Sequence, residues 1–271
     1  MRHLGMYLRC IISWGSDTVG TSAFSRWEAL KVTMLKIELH RMTRAWYLWG
    51  ILALLFLGTN AYPIWCGSYT IPEAPLIDIS KNIVGPLIAS GIYMGLVHSE
   101  DLYAGLTCYW IASGVSRTGI LLARFIHSLI GSLVILGVDS FLAVVVVNLI
   151  TGQTIITGWD TCLQMLLYML PFWMAMIALL QFAVNFTSHS GPNIAVVVVI
   201  VFVLTAATNL LSGEPEWQPI LRLTPLAWLM RCGMMAVQQL PIEQSYWIGA
   251  GGAILFSIVL YGGSNFYLHN H

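Results

Sequence analysis

The chain reads as an all-α, polytopic membrane protein with six transmembrane helices, and three observations carry that expectation. Of its 271 residues, 58% are hydrophobic and only 9% are charged, whereas a soluble domain carries about 25% charged residues. The mean hydropathy is +0.77. The apolar residues are gathered into long runs, parted by short proline-containing and polar stretches. A bilayer crossing takes about 20 apolar residues, and in lipid each segment must satisfy its own backbone polar groups, so such runs are expected to be helices.

Residues 1–33 hold only a short apolar patch, Tyr7 to Trp14, with no small-residue cleavage site behind it. They do not read as a secretory signal. They are expected to be a loosely ordered extension, or an over-call ahead of a natural start at Met34. Residues 34–271 are expected to form the membrane domain. The basic amphipathic stretch MLKIELHRMTR leads into a first span, Trp46 to Tyr62. Pro63, Pro72 and Pro75 then break helix. The second span is read from Ile83 to Val97, stopped by His98-Ser99-Glu100-Asp101, and its Gly91-xxx-Gly95 pair permits close helix approach. The third, Gly119 to Ile150, exceeds one perpendicular crossing, so it tilts or begins in the interface. The fourth runs from Thr161 to Val184 with Pro171 expected to kink it, the fifth from Asn193 to Leu211, and the sixth from Tyr246 to Gly263. Between the last two, residues 212–245 carry four prolines among apolar stretches around Ile220, Leu223, Trp228, Met230, Met234 and Met235. These are too short to cross. They fit either a half-buried pair of short helices on the outer face or an ordinary interfacial loop.

Basic residues set the expected orientation. Lys36, Arg41, Arg44, Arg117 and Arg124 fall on one side, with those of residues 1–33; Lys81, Arg222 and Arg231 fall on the other. Both termini are therefore expected in the cytoplasm, with the chain in the plasma membrane. Trp46, Tyr47 and Trp49 mark the inner interface, and Tyr62, Trp65, Trp159 and Trp247 the outer one. The sequon Asn185-Phe186-Thr187 then lies inside and is discounted. The formal net charge of zero gives no nucleic-acid footprint. None of the five cysteines forms a CxxC pair or sits near clustered histidines, so no metal site is expected. Cys66 and Cys232 both fall outside, where a disulfide between them is open.

The link between the second and third spans carries the most information. Ser99 or Asp101 can N-cap a helix, Glu100 and Asp101 suit its positive end, and Gly114 suits its C-terminal cap. In between, Leu102, Leu106, Tyr109 and Trp110 share one helical face. This describes a short interfacial helix, and its plainest reading is a helix lying on lipid. Ser116-Arg117 opens the next helix, with Arg124 two turns on, placed to snorkel toward phosphates.

This segment resembles the coupling-helix region of the type-2 ABC exporter permeases. Glu100 matches the acidic residue after the second span, Gly105 with Thr107 the Gly-Thr-like step, Ser116-Arg117 the pair before the third span, and Ala123-Arg124 the small and basic residues that follow. MLKIELHRMTR resembles the family's connecting helix, and Leu223-Thr224-Pro225-Leu226 its outer re-entrant segment. The likeness covers residues 34–268. Cys108, Tyr109 and Trp110 depart from it, standing where relatives carry polar or basic residues. The resemblance implies an N-terminal amphipathic helix, a cytoplasmic coupling helix, short outer re-entrant helices and no catalytic residues. It implies a second permease, as a homodimer or a paired permease, and a separate ABC ATPase subunit that binds the ATP. Glu100, Asp101, Gly105, Tyr109, Ser113, Gly114 and Arg117 are the residues it implies in ATPase coupling. This chain has no GxxxxGK[ST] of its own. The apolar spans fit a hydrophobic or amphipathic cargo such as an antimicrobial peptide or a drug.

Asp139 is the one acidic residue deep in a span, where a carboxylate is costly and either pairs with a neighbour or serves a pathway. His127 reads as an interface residue, with a proton relay as the alternative, and His98 and His189 as loop residues. The chain lacks the HExxH, GxSG or paired aspartates of an intramembrane enzyme. A secondary carrier or a non-transport scaffold is the alternative. A carrier shows broken helices and several buried polar groups, whereas Asp139 stands nearly alone.

Overall fold

The computed structural model describes residues 46–61, 66–67, 69, 71, 73–103, 116–185, 190–212, 215–221 and 224–270. Among these the regular structure is entirely helical. Helix α1, Trp46–Phe56, passes directly into a π-helical turn, Leu57–Ala61. It is followed by α2 (Ala74–Lys81), α3 (Val84–Tyr103), α4 (Arg117–Thr151), α5 (Trp159–Val184) and α6 (Ser190–Ser212). A 3-10 turn at Pro215–Trp217 leads into α7 (Gln218–Leu221), then α8 (Pro225–Val237) and α9 (Gln244–Asn270). The expected extension 1–33 and the lead-in MLKIELHRMTR lie outside the described residues.

Among the described residues four helices, α4, α5, α6 and α9, are long and apolar enough to cross a membrane. The apolar part of α3, Val84–Val97, and all of α8 are shorter. The polar patch after Val97 ends the apolar stretch without ending the helix. α3 continues through His98, Ser99, Glu100 and Asp101 to Tyr103, so Ser99 and Asp101 lie within a helix, not at the start of a new one. Backbone helix bonds do not depend on side-chain polarity, and no proline or glycine falls between Val97 and Tyr103 to break them.

α4 is a single helix of 35 residues, about 52 Å long at 1.5 Å per residue. Ser116 caps it, its side chain accepting from the Gly119 amide at 3.1 Å. Gly152 ends it in the left-handed region at φ 72°, where a glycine pays no steric cost. α5 runs without interruption through Pro171.

The core gathers around α5, whose Met165, Met169, Phe172 and Trp173 are fully buried. α5 packs against α4, α8 and α9. α3 packs on α6 at the Gly91-xxx-Gly95 pair: a Cβ on Gly91 would collide with Val197, and one on Gly95 would come within 3.2 Å of Ile194. α8 is a helix folded back into the bundle, burying Leu226, Trp228, Leu229 and Cys232. It crosses α2 closely. The Ser80 hydroxyl donates to the Leu229 carbonyl at 2.7 Å and accepts from the Gly233 amide at 3.1 Å. A Cβ on Gly233 would strike the Leu76 carbonyl. Cys232 is buried, Cys66 is exposed, and both are free thiols, so the disulfide left open by the sequence is not made.

Outward, the bundle is greasy. Phe202, Val203 and Leu210 of α6 and Leu255, Ile258 and Val259 of α9 are all largely exposed. Apolar exposure on this scale is the character of a surface that faces lipid.

Candidate functional site

The interior of the bundle is organised along α4, which carries Arg124, His127, Ser128, Ser132, Asp139, Ser140 and Asn148 as buried residues. Small and polar residues recur at i, i+4 along it, as His127 and Gly131 do, and Ser128 and Ser132. That spacing stacks them on one helical face. His127, Ser132 and Asp139 are each met by a different neighbour, while Ser140 bonds the Leu136 carbonyl of its own helix.

Nearest the Ser116 end, the Tyr93 hydroxyl of α3 and His127 Nε2 share a hydrogen bond of 2.6 Å. Their rings stack with centroids 5.7 Å apart and planes 5° from parallel. Gly131, one turn on, makes the room, since a Cβ there would collide with the Tyr93 ring. At the next level, Trp173 Nε1 of α5 donates to the Ser132 hydroxyl at 2.9 Å, which in turn donates to the Leu129 carbonyl at 2.9 Å. Higher still, Asn60 Nδ2 donates to Asp139 Oδ1 at 3.0 Å. Asn60 sits in the π-helical turn that ends α1 and is 1% exposed. A π turn inserts into a helix mostly where it re-aims a side chain, and here it faces Asn60 toward α4. Near the far end, Asn148 Nδ2 holds the carbonyls of Ile155 at 3.1 Å and Thr157 at 2.9 Å, tying down the link to α5.

Asp139 is 1% exposed and its second oxygen, Oδ2, is buried without a partner. Asp78 of α2 and Tyr69 lie at the same level. Burial first, and then the negative charges of Asp78 and Asp139, hold the Tyr69 phenol above its ordinary ionisation range. The phenol therefore stays neutral.

Three sequence expectations change. Arg124 does not snorkel to the surface; it is 7% exposed and lies within the bundle. His127 faces the bundle interior; it is 2% exposed and held by Tyr93. Asp139 does not stand nearly alone, being one of a row of buried polar groups on a single helix. The partners Asn60, Tyr93 and Trp173 were missed. The i, i+4 recurrence of small and polar residues on an otherwise apolar helix was the available signal.

Of the residues expected to couple to an ATPase, Glu100 and Asp101 fall in the last turns of α3 and Arg117 opens α4. Gly105, Tyr109, Ser113 and Gly114 lie outside the described residues. The two helix ends bracketing this link belong to the same end of the bundle as the α5–α6 link. There the Tyr261 hydroxyl of α9 donates to the Thr118 carbonyl at 2.7 Å, and Asn185 Nδ2 donates to the Ser264 hydroxyl at 3.4 Å. Among the described residues no three His, Cys, Asp or Glu side chains gather as a metal site.

Comparison with known proteins finds no match among family models, curated proteins or solved structures.

Proposed function

We propose that the chain is the membrane-spanning permease subunit of an ATP-driven exporter of the type-2 ABC kind. In this reading six spans cross the plasma membrane with both termini in the cytoplasm. The chain pairs with a second permease, and a separate ATPase docks on the link between α3 and α4. Glu100, Asp101, Gly105, Tyr109, Ser113, Gly114 and Arg117 belong to that docking link. Its cargo is hydrophobic or amphipathic, of the antimicrobial-peptide or drug type.

The observation that supports this reading most is the short α8 helix, inserted between α6 and α9 and buried against α2 and α5. A helix too short to cross, folded back at the end of the bundle opposite the α3–α4 link, is suited to capping an exit path. The resemblance at Glu100 and Ser116-Arg117 supplies the other half of the reading, a site at which force would enter.

Affinity purification of the full chain from its native membrane tests this. A co-purifying ATPase is expected, and deletion of residues 100–113 is expected to abolish both that association and ATP-dependent export from vesicles. An intact association after that deletion would sink the docking reading.

The buried polar row of α4 favours a second reading, a secondary carrier, because such carriers concentrate buried polar groups on the transport path. Transport that persists without ATP and collapses with the ion gradient would decide for it.

A further inference from the structure

A carboxylate in the interior of an apolar bundle must be paired, solvated or neutralised. Asp139 has one neutral donor, Asn60 Nδ2, on Oδ1 and none on Oδ2. Among the described residues no lysine, arginine or histidine pairs with it. The groups that the described residues bring to this level carry no positive charge. From the π turn comes Asn60, from the link after it the neutral Tyr69, and from α2 the carboxyl of Asp78. α5 presents Leu166, 3.8 Å from a Cβ placed on Gly137, and Trp159, edge-on to Phe141. On α4 itself, His127 lies more than three turns away and is engaged by Tyr93. A divalent cation is a poor occupant, since Ca²⁺ takes six to eight oxygen ligands and Mg²⁺ a full octahedron, and a single carboxylate with a single amide supplies too few.

We propose that Asp139, held by Asn60, is a proton-binding site inside the bundle. Oδ2 takes a proton from water and the group loses its negative charge, while Oδ1 continues to accept from Asn60 Nδ2. One group changes state, and no other reactant is required. The proposal does not rest on the exporter reading; it applies equally to a pump driven by ATP and to a carrier driven by protons.

The test is infrared difference spectroscopy of the purified full chain in phospholipid vesicles, taken across a pH series. The expected spectrum carries the carbonyl stretch of a buried, protonated carboxylic acid, fading as pH rises. Asp139→Asn is expected to abolish this band. Asp139→Glu, which keeps the acid, is expected to move its frequency, and it reads the site even if Asp139→Asn does not fold. Asn60→Ala removes a donor that favours the charged form, so the midpoint is expected to rise by about one pH unit. A wild-type spectrum without such a band at any pH, or a band that both Asp139 variants leave untouched, would overturn the proposal. A midpoint unmoved by Asn60→Ala would remove Asn60 from the site.

Discussion

Helices α4 and α6 are nearly equal in apolar character, with mean hydropathies of 2.5 and 2.7 over their most apolar stretches, yet 44% of that stretch is buried in α4 and only 11% in α6. Both qualify as crossings. α4 interrupts its valines and leucines with Arg124, His127, Ser128, Ser132, Asp139 and Ser140, and each finds the interior. α6 has a long stretch, Ala195 to Leu204, without a polar residue, and it exposes Phe202 and Val203. In lipid the apolar residues decide that a helix crosses, and the small and polar ones decide which face turns inward.

Substitution can break this contrast. The largest effect is expected at Trp173, fully buried and bonded to Ser132: Trp173→Ala should cost about 3–5 kcal/mol of stability, through the cavity and the lost hydrogen bond. Gly131→Ala drives a methyl into the Tyr93 ring and should cost about 1–3 kcal/mol by overpacking, visible as a lowered unfolding midpoint in mixed micelles. Asn60→Leu strips Asp139 of its one donor, and an unsatisfied buried acceptor should cost about 1–3 kcal/mol in the same assay. The smallest effect is expected on α6. Phe202→Ala and Val203→Ala remove side chains that touch little protein, and each should stay within about 0.5 kcal/mol. A loss at Phe202 comparable to that at Trp173 would mean that α6 is covered by protein and not by lipid.

The helices were legible where apolar runs and breakers agree. The third run was expected from Gly119 to Ile150 and is found as Arg117–Thr151, because Ser116 and Gly152 are capping residues in the sequence itself. The fourth differs only at its start, Trp159 in place of Thr161. α3 was misjudged at its end, where a change of polarity was read as a change of backbone. The interior was less legible still. Asn60 and Asp139 are 79 residues apart, and nothing local announces the pairing. Arg124 was misassigned because a basic residue near a helix end satisfies the snorkelling pattern equally well whichever way its face is turned. Asp139 stood out because one carboxyl in an apolar run needs no partner to be conspicuous.

α4 contains no proline, is capped at Ser116 and Gly152, and is gripped at separate heights by Tyr93, Trp173 and Asn60. It is therefore one continuous element whose ends, Ser116 and Gly152, stand about 52 Å apart. The Ile155–Thr157 link is tied to its far end through Asn148. In mechanical terms the helix is a strut, braced at three heights by its polar contacts.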